Sequence, residues 1–148
     1  MNCIIKKFAV CEADTVAIDL DARRSEIEKR IGKERSEATF KVIAALRKFG
    51  DNQSLGREIY HFSYFKAARN ARRFGNALEA KGYKLLDIAK ASKTEVRVKF
   101  SHTGQTTVDS IVEYEASLPI MAKRHGGYYD GWETSVESGN PLNFDCVT

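Results

Sequence analysis

Three histidines, His61, His102 and His125, are the side chains in this 148-residue sequence best suited to move protons near neutral pH. None has a carboxylate or thiol at a spacing that marks a catalytic triad or a metal site. His61 falls on an expected strand and His102 just after one. His125 falls at a helix end, where a favourable partner for the helix dipole is the simplest role. No Gly-rich phosphate loop, nucleophile elbow or zinc-protease motif occurs. Glu113 and Glu115 share an expected helix but point about 200° apart, so they are not a paired acid and base. Cys3, Cys11 and Cys146 are an odd set without a CxxC pair, which argues against a disulfide framework and a structural zinc. Cys146 reads as an ordinary inert thiol rather than a redox centre. These residue types point away from an enzyme: no catalytic residue, cofactor or metal site is expected.

Charge is distributed unevenly. Residues 57–100 carry eleven Lys and Arg against four Asp and Glu, whereas residues 101–148 carry two against seven. A basic flank can meet an acidic protein or a phosphate backbone, or simply be solvated. No apolar run approaches the ~20 residues that a membrane span requires. The N-terminal stretch has no long apolar core followed by a cleavage site, so no signal peptide is expected. With the cysteine pattern, this makes the reducing cytoplasm the expected compartment.

The elements that must position any site follow from periodicity. Val16, Ile18 and Leu20 alternate with Ala17 and Asp19, and with the apolar residues from Ile4 to Val10 they suggest two short strands. Ser25 and Glu28 form a capping-box pattern that predicts a helix start. A better helix follows at about 34–49, with Val42, Ile43, Leu46 and Phe49 on one face and Gly50 at its end. Residues 58–65 read as a strand, 66–81 as a helix with a small-residue stripe, 83–89 as a strand, and 94–100 as a cleanly alternating strand. Thr106 is expected to open a helix that carries Val108, Ile111, Val112, Leu118, Met121 and Ala122. Pro119 should kink or split it. Residues 128–135 make the last strand. The order β-α-β-β-α-β is the ferredoxin-like pattern of the α+β class. The expected organisation is an extension over 1–33, a ferredoxin-like domain with a leading helix over 34–137, and a short tail over 138–148.

Two binding surfaces can be weighed from these elements. Tyr60, Phe62 and Tyr64 share one face of the first strand, the layout of an RNA-binding sheet. The third strand offers Glu95, Arg97 and Lys99 where such a sheet needs aromatics, so the tyrosines are expected to pack on a helix. Arg69, Arg72, Arg73, Arg97 and Lys99 remain an alternative nucleic-acid-binding set. The second surface is the stretch around the single Trp. Asp130 and Gly131 should bulge the last strand. Trp132 then either plugs the core, the favoured reading, or sits exposed with Tyr129 and Glu133 as a protein-binding hot spot.

His61-Phe62-Ser63-Tyr64-Phe65, the Ala-rich helix and Lys81-Gly82-Tyr83 resemble the first half of the bacterial family called regulator of ribonuclease E activity B. Met121-Ala122-Lys123-Arg124, two glycines and Tyr129-Asp130-Gly131-Trp132 resemble its second half. The resemblance implies a non-enzymatic, ferredoxin-like protein that binds ribonuclease E and alters RNA degradation. An immunity-type inhibitor that neutralises a toxin is the alternative. The chain departs from the family in being basic, and in carrying Glu133 where the family usually has Gly. Tyr129, Asp130, Trp132, Glu133, Glu113 and Glu137 are the expected protein-binding residues. The oligomeric state stays open.

Overall fold

The computed structural model describes residues 22–138. The expected strands before residue 21, the three cysteines and the tail beyond residue 138 lie outside the described residues. The described chain divides into two compact units, one holding the residues up to Asn52 and those from Val136 and the other Gln53–Ser135.

In the first unit, helix α1 (residues 22–31) is already running at Ser25, so the capping-box pattern there does not mark its start. Gly32, with a positive φ of 86°, separates it from α2 (Lys33–Lys48). Helix α2 buries Ser36, Thr39, Ile43 and Leu46. Val42 and Phe49, expected on that face, are exposed, Phe49 at 68%. Positions 36, 39, 43 and 46 follow one helical stripe, and Val42 and Phe49 fall off it despite being apolar. Gly50 ends the helix at a φ of 78°.

The second unit is a four-stranded antiparallel sheet with two helices. Its elements are β1 (Arg57–Phe65), α3 (Ala68–Ala80), β2 (Lys84–Lys90), β3 (Val96–Gly104), α4 (Val108–Arg124) and β4 (Gly127–Thr134). The sheet order β2-β3-β1-β4 makes the β-α-β-β-α-β chain a ferredoxin-like fold. Helix α3 packs on β2, β3 and β1, and α4 packs on β4. Gly75 lets α3 approach closely, because a Cβ there would sit 3.1 Å from Leu85. The core holds Ile59, Phe65, Phe74, Leu78, Val98, Phe100, Ile111 and Leu118. Thr107, not Thr106, caps α4 by accepting from the Ser110 amide. Pro119 removes one helical donor but does not split the helix, which continues to Arg124.

Alternation along β1 buries Arg57, Ile59, His61, Ser63 and Phe65. It therefore turns Tyr60, Phe62 and Tyr64 to the opposite face, where they do not pack on α3 or α4 as expected. Tyr64 instead stacks on Tyr128, with ring centroids 5.5 Å apart.

Strand β4 contains the expected bulge. Phe62 pairs with Gly131 and Ser63 with Tyr129, leaving Asp130 as the extra residue. Gly131 adopts a φ of +134°, a conformation that disfavours side chains. The extra residue changes the parity of the strand. Tyr129 and Trp132, three apart, consequently share the helix-facing side, opposite Ser63 and His61 respectively.

Two glycines of β4 are predicted to resist substitution for different reasons. A Cβ on Gly127 would collide with the Tyr64 carbonyl and the Phe65 ring, whereas one on Gly131 would meet nothing within 4 Å. Gly131→Ala should thus cost only its backbone strain, about 1–2 kcal/mol. Gly127→Ala should cost more, through overpacking against backbone. Urea unfolding followed by Trp132 fluorescence checks the order; a larger loss for Gly131→Ala would refute it.

Candidate functional site: a wired histidine pair beside a polar pocket

Strand β1 places His61 on the buried face, and β3 continues beyond Phe100 far enough to bring His102 onto the same side. His61 is fully buried. Its Nδ1 lies 2.7 Å from the Tyr129 hydroxyl and its Nε2 lies 2.9 Å from Nδ1 of His102. The two imidazole planes are within 15° of parallel. Phe100 stacks on His61 at 5.1 Å, and Tyr114 approaches it edge-on at 5.1 Å. Tyr114 also meets Trp132 edge-to-face at 5.6 Å. Trp132 is half-buried and Tyr129 is 4% exposed.

The protons along this chain have two consistent arrangements. In one, Tyr129 donates to His61 Nδ1, His61 Nε2–H donates to His102 Nδ1, and His102 Nε2 carries a proton. In the other, every bond is reversed and His102 Nε2 offers a lone pair. Both keep the imidazoles neutral. Burial, with His102 as a neighbour, pushes His61 down to about 3, and burial also lowers His102. A sealed neutral histidine is a poor acid or base toward substrate, but it holds its neighbours in register.

His102 is the end of the chain that meets a pocket of about 290 Å³, lined by Tyr83, His102, Gly104, Gln105, Ser110, Glu113, Tyr114 and Ser117. Gly104 is needed here because a Cβ would lie 2.7 Å from His102 Nε2. Ser110, Glu113, Tyr114 and Ser117 form one flank of α4. Tyr114 is 4% exposed and its hydroxyl has no hydrogen-bond partner. Desolvation, then the charge of buried Glu115, raises the Tyr114 pKa. Burial and Glu113 raise that of Tyr83. Among the described residues, no group of three His, Cys, Asp or Glu converges as a metal centre would require.

A family model described as Regulator of ribonuclease activity B matches residues 36–134, from α2 to the end of β4. The chain belongs to this family. No curated protein matches the chain. In this member of the regulator of ribonuclease activity B family, the Tyr-Asp-Gly-Trp stretch is the bulged segment that sets Tyr129 and Trp132 against the histidine pair. Among the described residues, no helix is long and apolar enough to cross a membrane.

The residues singled out from the sequence are distributed as follows. Tyr129 is buried and bonded to His61. Trp132 leans on Tyr114, and Glu113 lines the pocket, exposed. Asp130 is exposed at the bulge, and Glu133 is exposed opposite Tyr60. Glu137 is exposed in the other unit, where its amide donates to the Asp51 carboxylate. The basic set does not form one surface. Arg69, Arg72 and Arg73 are exposed on α3, whereas Arg97 and Lys99 lie on the sheet face turned away from that helix. There Arg97 is 3.7 Å from Asp87, and the Lys99 ammonium sits 5.0 Å from the Tyr60 ring centre.

His61, His102 and Tyr114 were not expected as site residues. Strict alternation from Ile59 to Phe65 could have placed His61 inward. No comparable signal marked His102, because the polar run Ser101-His102-Thr103 hides the continuation of β3.

The depressed His61 pKa makes stability pH-dependent. The unfolded chain takes up a proton near the ordinary histidine value of about 6.5, but the folded chain does so only near 3. Stability should therefore be full above neutrality and fall as pH drops from about 6.5 toward 3, by on the order of 3 kcal/mol at pH 4. Urea midpoints from pH 7.5 to 4 check this. His61→Phe, lacking the titrating group, should flatten the slope; an unchanged slope would exclude His61 as its source.

Proposed function

We propose that this chain is a non-enzymatic cytoplasmic regulator that docks on a ribonuclease of the ribonuclease E type and slows RNA degradation by occlusion. The family match over residues 36–134 carries this reading, since it spans the whole sheet and both helices that cover it. Neutral, sealed His61 supports a structural rather than a catalytic use of the histidine pair. The contact to a basic nuclease runs through the acidic residues Asp130 and Glu133, with Trp132 as the apolar neighbour. Asp130 and Glu133 lie on β4, an edge strand of the sheet. Charges there also discourage unwanted strand pairing. The separation of Arg69, Arg72 and Arg73 from Arg97 and Lys99 gives RNA binding less support than protein binding.

Adding the purified chain to a ribonuclease E cleavage reaction on end-labelled RNA should slow cleavage saturably, and the chain alone should leave RNA intact. Full cleavage at saturating chain would refute the proposal. Replacing Asp130 and Glu133 together by Lys should slow association and reverse its salt dependence. Unaltered kinetics would move the contact off β4.

A further inference from the structure

One end of the sheet gathers positive charge from separate segments of the chain. Lys90 pairs with Val96, Val96 with Phe65, and Phe65 with Gly127, so these residues form the last row across all four strands. Just past that row come Lys66 after β1, Lys93 in the turn between β2 and β3, and Lys123 and Arg124 at the end of α4. Helix α3 begins at the same end and adds Arg69, Arg72 and Arg73 in its first two turns. It lies against the end of α4: a Cβ on Gly126 would meet Asn70 at 3.0 Å, and the Phe74 and His125 ring centres are 5.7 Å apart. The fold thus brings Lys123 and Arg124, the only Lys and Arg after residue 100, to the basic half of the sequence.

These cations are exposed, and among the described residues none of them pairs with a carboxylate. Residues 65–73, 90–96 and 123–128 hold one carboxylate, Glu95, which accepts from the Tyr128 hydroxyl at 3.0 Å. Stability does not account for the arrangement. Arg69 and Arg73 are like charges one turn apart, and cations in the first turns of a helix oppose its dipole. A polyanion relieves both penalties. Aromatic surface at the same end separates a nucleic acid from an acidic peptide. Tyr128 is 51% exposed and stacks on Tyr64, with the rings within 22° of parallel. The bond to Glu95 presents the Tyr128 ring in one orientation. A flat ring beside a track of cations suits a base and its phosphates, whereas an acidic peptide has no use for the ring. The row of four strands spans roughly 14 Å, room for a few consecutive nucleotides.

We propose that this end of the molecule binds single-stranded nucleic acid without sequence preference, RNA being the form that a ribonuclease regulator meets. Lys66, Arg69, Arg73, Lys123 and Arg124 hold phosphates, and Tyr128 lies under a base. Only the choice of RNA rests on the regulator reading. The site itself goes beyond that reading, which puts the nuclease contact on Asp130 and Glu133, and it makes no use of Arg97 or Lys99.

The test is fluorescence anisotropy of the full chain with a labelled twelve-residue oligouridine over a range of salt concentrations. Binding should be saturable and should weaken with salt at a log–log slope of about −3.5, because each of five neutralised phosphates contributes about 0.7. Lys123→Glu with Arg124→Glu should weaken binding at least tenfold and make the slope shallower by about 1.4. Lys41→Glu with Lys48→Glu, the same charge change on exposed residues of α2, should leave most of the affinity in place. Tyr128→Ala should weaken binding about tenfold with the slope unchanged. Circular dichroism checks the fold of each variant. Duplex RNA, whose bases are already stacked, should compete poorly. Absent or salt-insensitive binding, or an equal loss in the two double variants, would overturn the proposal. So would better competition by polyglutamate, which would make the surface a site for an acidic protein. Unchanged binding by Tyr128→Ala would defeat the base contact and with it the preference for single strands. The cleavage assay separates this site from the regulator reading. A chain that binds oligouridine yet leaves ribonuclease E cleavage unaffected sustains the site and defeats the regulator, and inhibition by a chain that binds no oligouridine does the reverse.

Discussion

One extra residue governs this structure. A regular strand places every second side chain on the same face, so Tyr129 and Trp132 could not both face the helices without an insertion. Asp130 supplies the insertion, and Gly131 absorbs the backbone conformation it demands. Tyr129 can then bond His61 while Trp132 supports Tyr114 from the far side. Without the parity change, one of these aromatics would lie on the opposite face and the histidine chain would lose either its anchor or its wall.

The interior polar chain is tolerable because it is satisfied. His61 uses both ring nitrogens, which offsets the desolvation that keeps it neutral. Stacking on Phe100 and edge contacts with Tyr83 and Tyr114 hold the ring in one orientation. The arrangement is closed at Tyr129 and open at His102. That asymmetry gives a core feature a surface outlet, and Tyr114 is its shared wall, touching both histidines and Trp132.

Much of the fold was legible because its signals are local. Richness in Ile, Tyr and Phe marked β1, alternation marked the first half of β3, small residues marked the packed face of α3, and the Asp-Gly pair marked the bulge. The errors have physical causes. Ser25 and Glu28 suit a cap, but α1 is helical before them, since a local motif does not exclude an upstream turn. Thr107 rather than Thr106 caps α4 because its hydroxyl is the one that meets the Ser110 amide. Val42 and Phe49 are apolar neighbours of the Ile43–Leu46 stripe but lie off it, and position on the stripe decides burial. The pocket was least legible of all. Tyr83, His102 and Tyr114 come from three elements and meet only through sheet register and helix packing.

The register of β1 also bears on how the protein is made. Both of its partners, β3 and β4, lie downstream in the chain. During synthesis β1 emerges with two unpaired edges and an apolar face, and it must wait for Val96–Gly104 on one side and for Gly127–Thr134 on the other. Among the described residues β4 is the last strand in sequence, and its pairing closes the sheet and delivers Tyr129 to His61 in the same event. A nascent chain stalled before that point would expose a sticky central strand, so speed of translation through the final third and the availability of chaperones should weigh heavily on its yield.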